Sequence, residues 1–154
     1  PTWSRFVYGL FGWRADFDGV VSWTYPAHIG NYKNGRTDAR DGSNIPTFTE
    51  DGAPINTVVW EAIREGIDDR KYIQTLSRAA GDALAAGRMD KAREAMGLLR
   101  DIWSRVDPRF SAHKWEHTEY GSPVPRGFTW DDMHEVRQQV IDMILKLKTV
   151  DSQQ

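Results

Sequence analysis

The chain has 154 residues, 40% hydrophobic and 27% charged, with a formal net charge of -2. That size and balance fit one soluble, globular domain with a core of its own, and the slight negative charge argues against the basic footprint of a nucleic-acid binder. The sequence contains no cysteine, which removes disulfides and thiolate metal sites; no apolar run is long enough to span a bilayer.

Residues 2–15 carry Trp3, Phe6, Val7, Leu10 and Trp13 at helical spacing. Gly9 and Gly12 would let this helix pack closely on a sheet. The chain opens on Pro1-Thr2-Trp3 with no charged-then-apolar leader, and the expectation is a piece trimmed from something longer. Asp16-Phe17-Asp18-Gly19 reads as a turn. Gly19 to Tyr25 (Gly-Val-Val-Ser-Trp-Thr-Tyr) follows as a short buried strand closed by Pro26. Helix, tight turn, strand is one step of an α/β barrel or of a doubly wound sheet. A single strand needs partners from elsewhere in the molecule or from another chain.

Residues 26–55 are polar and rich in Gly, Asn and Pro. A loop of that length in a compact domain is usually functional or disordered. In a barrel it would follow the strand's C-terminal end, where binding loops sit.

Three helices are predicted next. The first runs from Asn56, a plausible N-cap, to Ala86, ended by Gly87. Its later half carries Ile73, Leu76, Ala80 and Leu84. It also holds Gly66, which costs about 1 kcal/mol against alanine inside a helix and therefore implies a close backbone approach or a break. The second helix carries Met89, Ala92, Met96, Leu99, Trp103 and Val106. The third starts at Thr129, with Asp132 three residues on as in a capping box, and carries Met133, Val136, Val140, Ile144 and Leu147. Spacings alternating between three and four make narrow seams suited to helix pairing. Their mixed-charge outer faces do not suit a membrane surface. Pro108 to Phe128 reads as a wrapped surface connection.

Chemistry-bearing candidates are few. Trp23 and Tyr25 share a strand face. Trp23 suits stacking on a sugar ring or plugging a core, while Tyr25 or His28 would hydrogen-bond a hydroxyl. Arg36 and Asp38, in the loop Arg36 to Asn44, would hold a polar substrate or simply pair in solvent. His113-Lys114-Trp115-Glu116-His117 matches the H-x-x-E-H pattern of inverted zinc peptidases, but it sits between proline and glycine breakers instead of on a long helix. No metal site and no cofactor are therefore expected. Asp68-Asp69 and Asp131-Asp132 are helical neighbours about 100° apart, the wrong geometry for a glycosidase pair. Arg64 and Asp68 instead suit an i,i+4 surface pair, and Asp131 and Asp132 suit a helix N-terminus.

Two stretches carry a family resemblance. Arg5 with Gly9-Leu10-Phe11-Gly12-Trp13 and Asp18 to Trp23 is the first. Pro54-Ile55 with Ile63-Arg64-Glu65-Gly66-Ile67-Asp68-Asp69 and Tyr72 is the second. Together they resemble, over roughly residues 3–76, the C-terminal part of the bacterial glycoside hydrolase family 123-like group, whose members often carry an arginine where Val59 stands.

The resemblance implies an α/β fold: the last helix–strand–helix units of a (β/α)8-type barrel in residues 1–86, with a helical extension in 87–154. Taken alone, the chain would be mostly α. It also implies carbohydrate as partner, a substrate-assisted hydrolase whose catalytic Asp-Glu pair lies upstream, and an upstream polypeptide completing the barrel. With no catalytic residue of its own, this portion would close the barrel and form one wall of the sugar site through Trp23, Tyr25, His28, Arg36 and Asp38. Two other classes stand beside that expectation: a non-enzymatic helical interaction or structural module, and a zinc hydrolase at His113 and His117.

Overall fold

A computed structural model describes residues 2–20, 47–48, 54–55, 58–107 and 128–149. Four helices account for nearly all of this. Helix α1 covers residues 2–14 as an α-helical turn, a π-helical segment Val7–Phe11 and a final short α turn. Helix α2 is Val58–Ala85, α3 is Met89–Arg105 and α4 is Trp130–Lys148.

The long helix α2 is the axis of the bundle, and α1, α3 and α4 all pack on it. Its 28 residues span about 42 Å at 1.5 Å per residue. The seam Ile73, Leu76, Ala80 and Ala83 is buried along one side, whereas Leu84, placed in the seam by spacing, is 44% exposed. Gly87 ends α2 in the left-handed region, at φ 73°, where glycine carries no Cβ penalty. The Arg88 guanidinium then donates to the carbonyl of Leu147 at 3.0 Å, tying the α2–α3 connection to the last turn of α4.

Helix α4 follows its sequence pattern at every core position: Met133, Val136, Val140, Ile144 and Leu147 are all buried. The Thr129 hydroxyl accepts from the Asp132 N–H while the Asp132 carboxylate accepts from the Thr129 N–H, a complete capping box. Phe128, just before the cap, is buried with its ring 5.1 Å from that of Phe6. This fastens the start of α4 to α1.

Helix α3 corrects part of the expected seam. Ala92, and Val106 just past its end, are buried as expected and Leu99 is partly buried, but Ala95 and Ile102 are buried where Met89, Met96 and Trp103 are exposed. Small alanines bring α3 close to α2, and the larger side chains turn outward.

The α/β barrel portion is overturned. The described residues form a helical bundle, and their only β structure is a two-residue antiparallel pairing of Thr47–Phe48 with Pro54–Ile55. Of the expected strand at 19–25, Gly19 and Val20 have no regular structure and the rest lies outside the described residues. The glycines credited with sheet packing do something else. Gly9 meets the backbone of α2, where a Cβ would come 2.9 Å from the Gly66 carbonyl oxygen.

Candidate functional site

None of the residues singled out for sugar binding is placed by the structure: Trp23, Tyr25, His28, Arg36 and Asp38 lie outside the described residues, as do His113, Glu116 and His117. Among the described residues no cluster of His, Asp or Glu is arranged to hold a metal, and no helix is long and apolar enough to cross a membrane.

The polar centre that the structure does build lies where α1, α2 and α4 meet. Arg5 is fully buried, and its Nε donates to Asp69 Oδ2 at 2.7 Å and its Nη2 to Oδ1 at 3.2 Å. This is the paired geometry that guanidinium and carboxylate favour. Its Nη1 reaches the Trp130 carbonyl at 3.4 Å, and the guanidinium lies 4.7 Å from the centre of the Trp130 ring. From α4, Arg137 adds a second cation. Its Nε donates to Asp69 Oδ1 at 2.5 Å, its Nη1 to Glu65 Oε2 at 2.6 Å, and its Nη2 to the Glu65 carbonyl at 2.8 Å.

Two arginines and two carboxylates therefore balance in charge inside the interface. Asp69 is 4% exposed and Arg137 16%; charges this buried persist only when paired and hydrogen-bonded.

Helical spacing makes the cluster possible. Glu65 and Asp69 are four apart, so both carboxylates project from one face of α2. Gly66 sits beside them on the same face, where its missing side chain lets the Arg5 carbonyl of α1 come closer than any Cβ would allow. The π-helical turn of α1 is centred on Gly9, at this same crossing: the Gly12 N–H reaches back to the carbonyls of Gly9 and Val7, the latter five residues earlier as in a π turn.

On the outer face of α2, Arg64 bonds Glu61 and Glu65, each at 2.8 Å, and approaches Asp68 at 3.6 Å. The expected Arg64–Asp68 surface pair is thus part of a wider fan.

Electrostatics favour the charged forms of Glu65 and Arg137. Burial pushes the Glu65 carboxyl up, but the Arg137 hydrogen bond and the charges of Arg137, Arg64 and Arg5 outweigh it and hold it below its ordinary value. Burial pulls the Arg137 guanidinium down, and its bonds to Asp69 and Glu65 outweigh that in turn and raise it. An ionised carboxylate held by guanidinium groups is a poor general acid. The chemistry of this centre is clamping.

Sequence reasoning treated Asp69 only as a helical neighbour of Asp68, unfit as a catalytic pair, and gave Arg137 no role. The signal for Asp69 was its i,i+4 spacing from Glu65 across Gly66; nothing local marked Arg137. No family model matches the chain, and no curated protein or solved structure matches it.

Proposed function

We propose that this chain is a non-catalytic helical portion of a carbohydrate-active protein of the glycoside hydrolase family 123-like kind. In this reading Trp23, Tyr25, His28, Arg36 and Asp38 form one wall of a sugar site, and catalytic carboxylates come from an upstream polypeptide. One observation supports it. The residues that carry the resemblance, Arg5 and Gly9 in the first stretch and Gly66 and Asp69 in the second, are far apart in sequence but meet in one docked unit. That unit brackets the polar segment which the reading assigns to sugar. Residues engaged in such a contact hold two helices together rather than perform chemistry.

The test is a tryptophan-fluorescence titration of the chain with N,N′-diacetylchitobiose, alone and with the upstream polypeptide added. A saturable change that disappears in Trp23→Ala is the expected result. Failure of the sugar to bind in either format would remove the carbohydrate reading and leave a helical interaction module, for which the continuous core shared by α1, α2, α3 and α4 already provides.

A further inference from the structure

Met89, Met96 and Trp103 recur every seven residues on α3. That spacing is close to two helical turns, so the three side chains fall on one line of the helix surface. They are 53%, 55% and 39% exposed. Helix α1 holds one end of the line: Trp13 meets the Trp103 ring edge to face at 5.1 Å, and the Arg14 guanidinium lies over it. The two methionines carry the more open part. Methionine is flexible and polarizable, and exposed methionines suit a surface that takes an amphipathic helix.

The two flanks of the line differ. Residues three and four apart are neighbours on a helix, whereas residues one or two apart do not face each other. On one flank the neighbours are Ala92 and Leu99, which belong to the core and its edge. On the other they are Arg93 and Arg100, both exposed. The acids Asp90, Glu94 and Asp101 stand one or two positions from the line and fall further round the helix. Arg93 reaches Asp90 at 3.2 Å, but both side chains are open to water, where such a pair is weak. Arg100 has no hydrogen bond or ion pair among the described residues. An open apolar line is therefore bordered by two cations.

Charge decides what fits it. In an antiparallel pair of two copies centred on Met96, Arg93 would come level with the partner's Arg100 on the same side of the seam, and like charges so placed oppose association. A helix with carboxylates along one edge of its apolar stripe meets both arginines favourably.

We propose that this face of α3 is the docking surface for an acidic amphipathic helix of another protein. Its apolar stripe covers Met89, Met96 and the open part of Trp103, and its carboxylates pair with Arg93 and Arg100. This inference needs neither the sugar site nor an upstream polypeptide.

The probes are two stapled helical peptides of one design, with leucine on the stripe and either glutamate or lysine along its edges, titrated into the whole chain. The glutamate peptide should bind roughly tenfold or more tighter than the lysine peptide, and added salt should narrow the gap. Exchanging both cations, Arg93→Glu with Arg100→Glu, should reverse the preference. In the unaltered protein, the methyl resonances of Met89 and Met96 should shift as the glutamate peptide is added, while that of Met133, buried on α4, stays still. This readout needs no variant to fold.

Equal binding of the two peptides would reduce the face to general apolar adhesion and overturn the proposal. Met89 and Met96 signals that do not move would also overturn it. So would methyl shifts that follow the concentration of the protein alone, with a dimer in sedimentation, because they would assign the face to a second copy.

Discussion

Gly9 of α1 and Gly66 of α2 face each other so closely that a Cβ on Gly9 would stand 2.9 Å from the Gly66 carbonyl oxygen, and a Cβ on Gly66 would collide with the Arg5 carbonyl. The contact is backbone to backbone, so neither side relaxes by turning a rotamer. Gly66→Ala should therefore destabilise the fold by about 1–3 kcal/mol, as overpacking does, despite alanine's better helix propensity. Gly81 lies in the same helix with nothing within 4 Å of its would-be Cβ. There, Gly81→Ala should stabilise by about 0.5–1 kcal/mol. Urea denaturation of the two variants reads the difference directly, and a stabilised Gly66→Ala would show that the crossing is looser than described.

The Arg5–Asp69 bond crosses from α1 to α2 with both partners buried. Asp69→Ala strands the Arg5 guanidinium and takes one acceptor from Arg137. A loss of about 3–5 kcal/mol is expected, as for other broken buried pairs. Replacing both partners together, Arg5→Met with Asp69→Leu, should recover much of that loss, because no uncompensated charge stays inside. Equal losses in the single and double variants would assign the effect to packing.

Acid should weaken the clamp, and the sign follows from Glu65. Its carboxyl is held below its ordinary value of 4.5 in the folded protein by Arg137, Arg64 and Arg5, against the opposing effect of burial. A depressed folded value means the unfolded chain binds its proton first as pH falls. The stabilisation is therefore complete above about 4.5 and is lost as pH drops through the depressed value. Asp132, depressed by its hydrogen bonds from Thr129, and Glu94, depressed first by its bond from Lys146, act in the same direction. Thermal melts from pH 7 to pH 3 should show stability falling at the acid end, with a smaller fall in Glu65→Gln. An unchanged slope in that variant would transfer the effect to the other two acids.

Much of the helical architecture was legible because it is written locally. Helix α4 could be read residue by residue: Thr129 and Asp132 cap it, and every residue of its three-and-four seam is buried. Gly66 was legible as an anomaly, since a glycine inside a long helical pattern demands a close approach. The partner in that approach was not. Gly9 on α1 suited a sheet as well as a helix, because a missing Cβ permits closeness to either, and the neighbouring Gly19–Tyr25 stretch favoured the sheet. Arg137 was invisible for a different reason. Its role depends on the rotation of α4 about its axis relative to α2, and one sequence does not encode that in any local pattern. The residues assigned to sugar binding lie in the stretch that the described residues leave out.

Helix α3 provides the last test, because there spacing and burial part company. Met89, Met96 and Trp103 recur every seven residues and read as a seam, yet all are exposed; Ile102, one position from Trp103, is fully buried. The reason is the size of the neighbours. Ala92 and Ala95 are buried, and their small side chains let α3 approach α2 along a face turned away from Met89, Met96 and Trp103, sharing only Ala92 and Val106 with the buried part of the predicted seam. Ile102→Ala should cost about 2–5 kcal/mol, because it leaves a cavity in a packed core. Met96→Ala should change stability by no more than about 0.5 kcal/mol, as surface substitutions do. Parallel urea unfolding curves measure both, and a large loss in Met96→Ala would restore the seam that spacing alone predicts and place the α2–α3 contact on the other face.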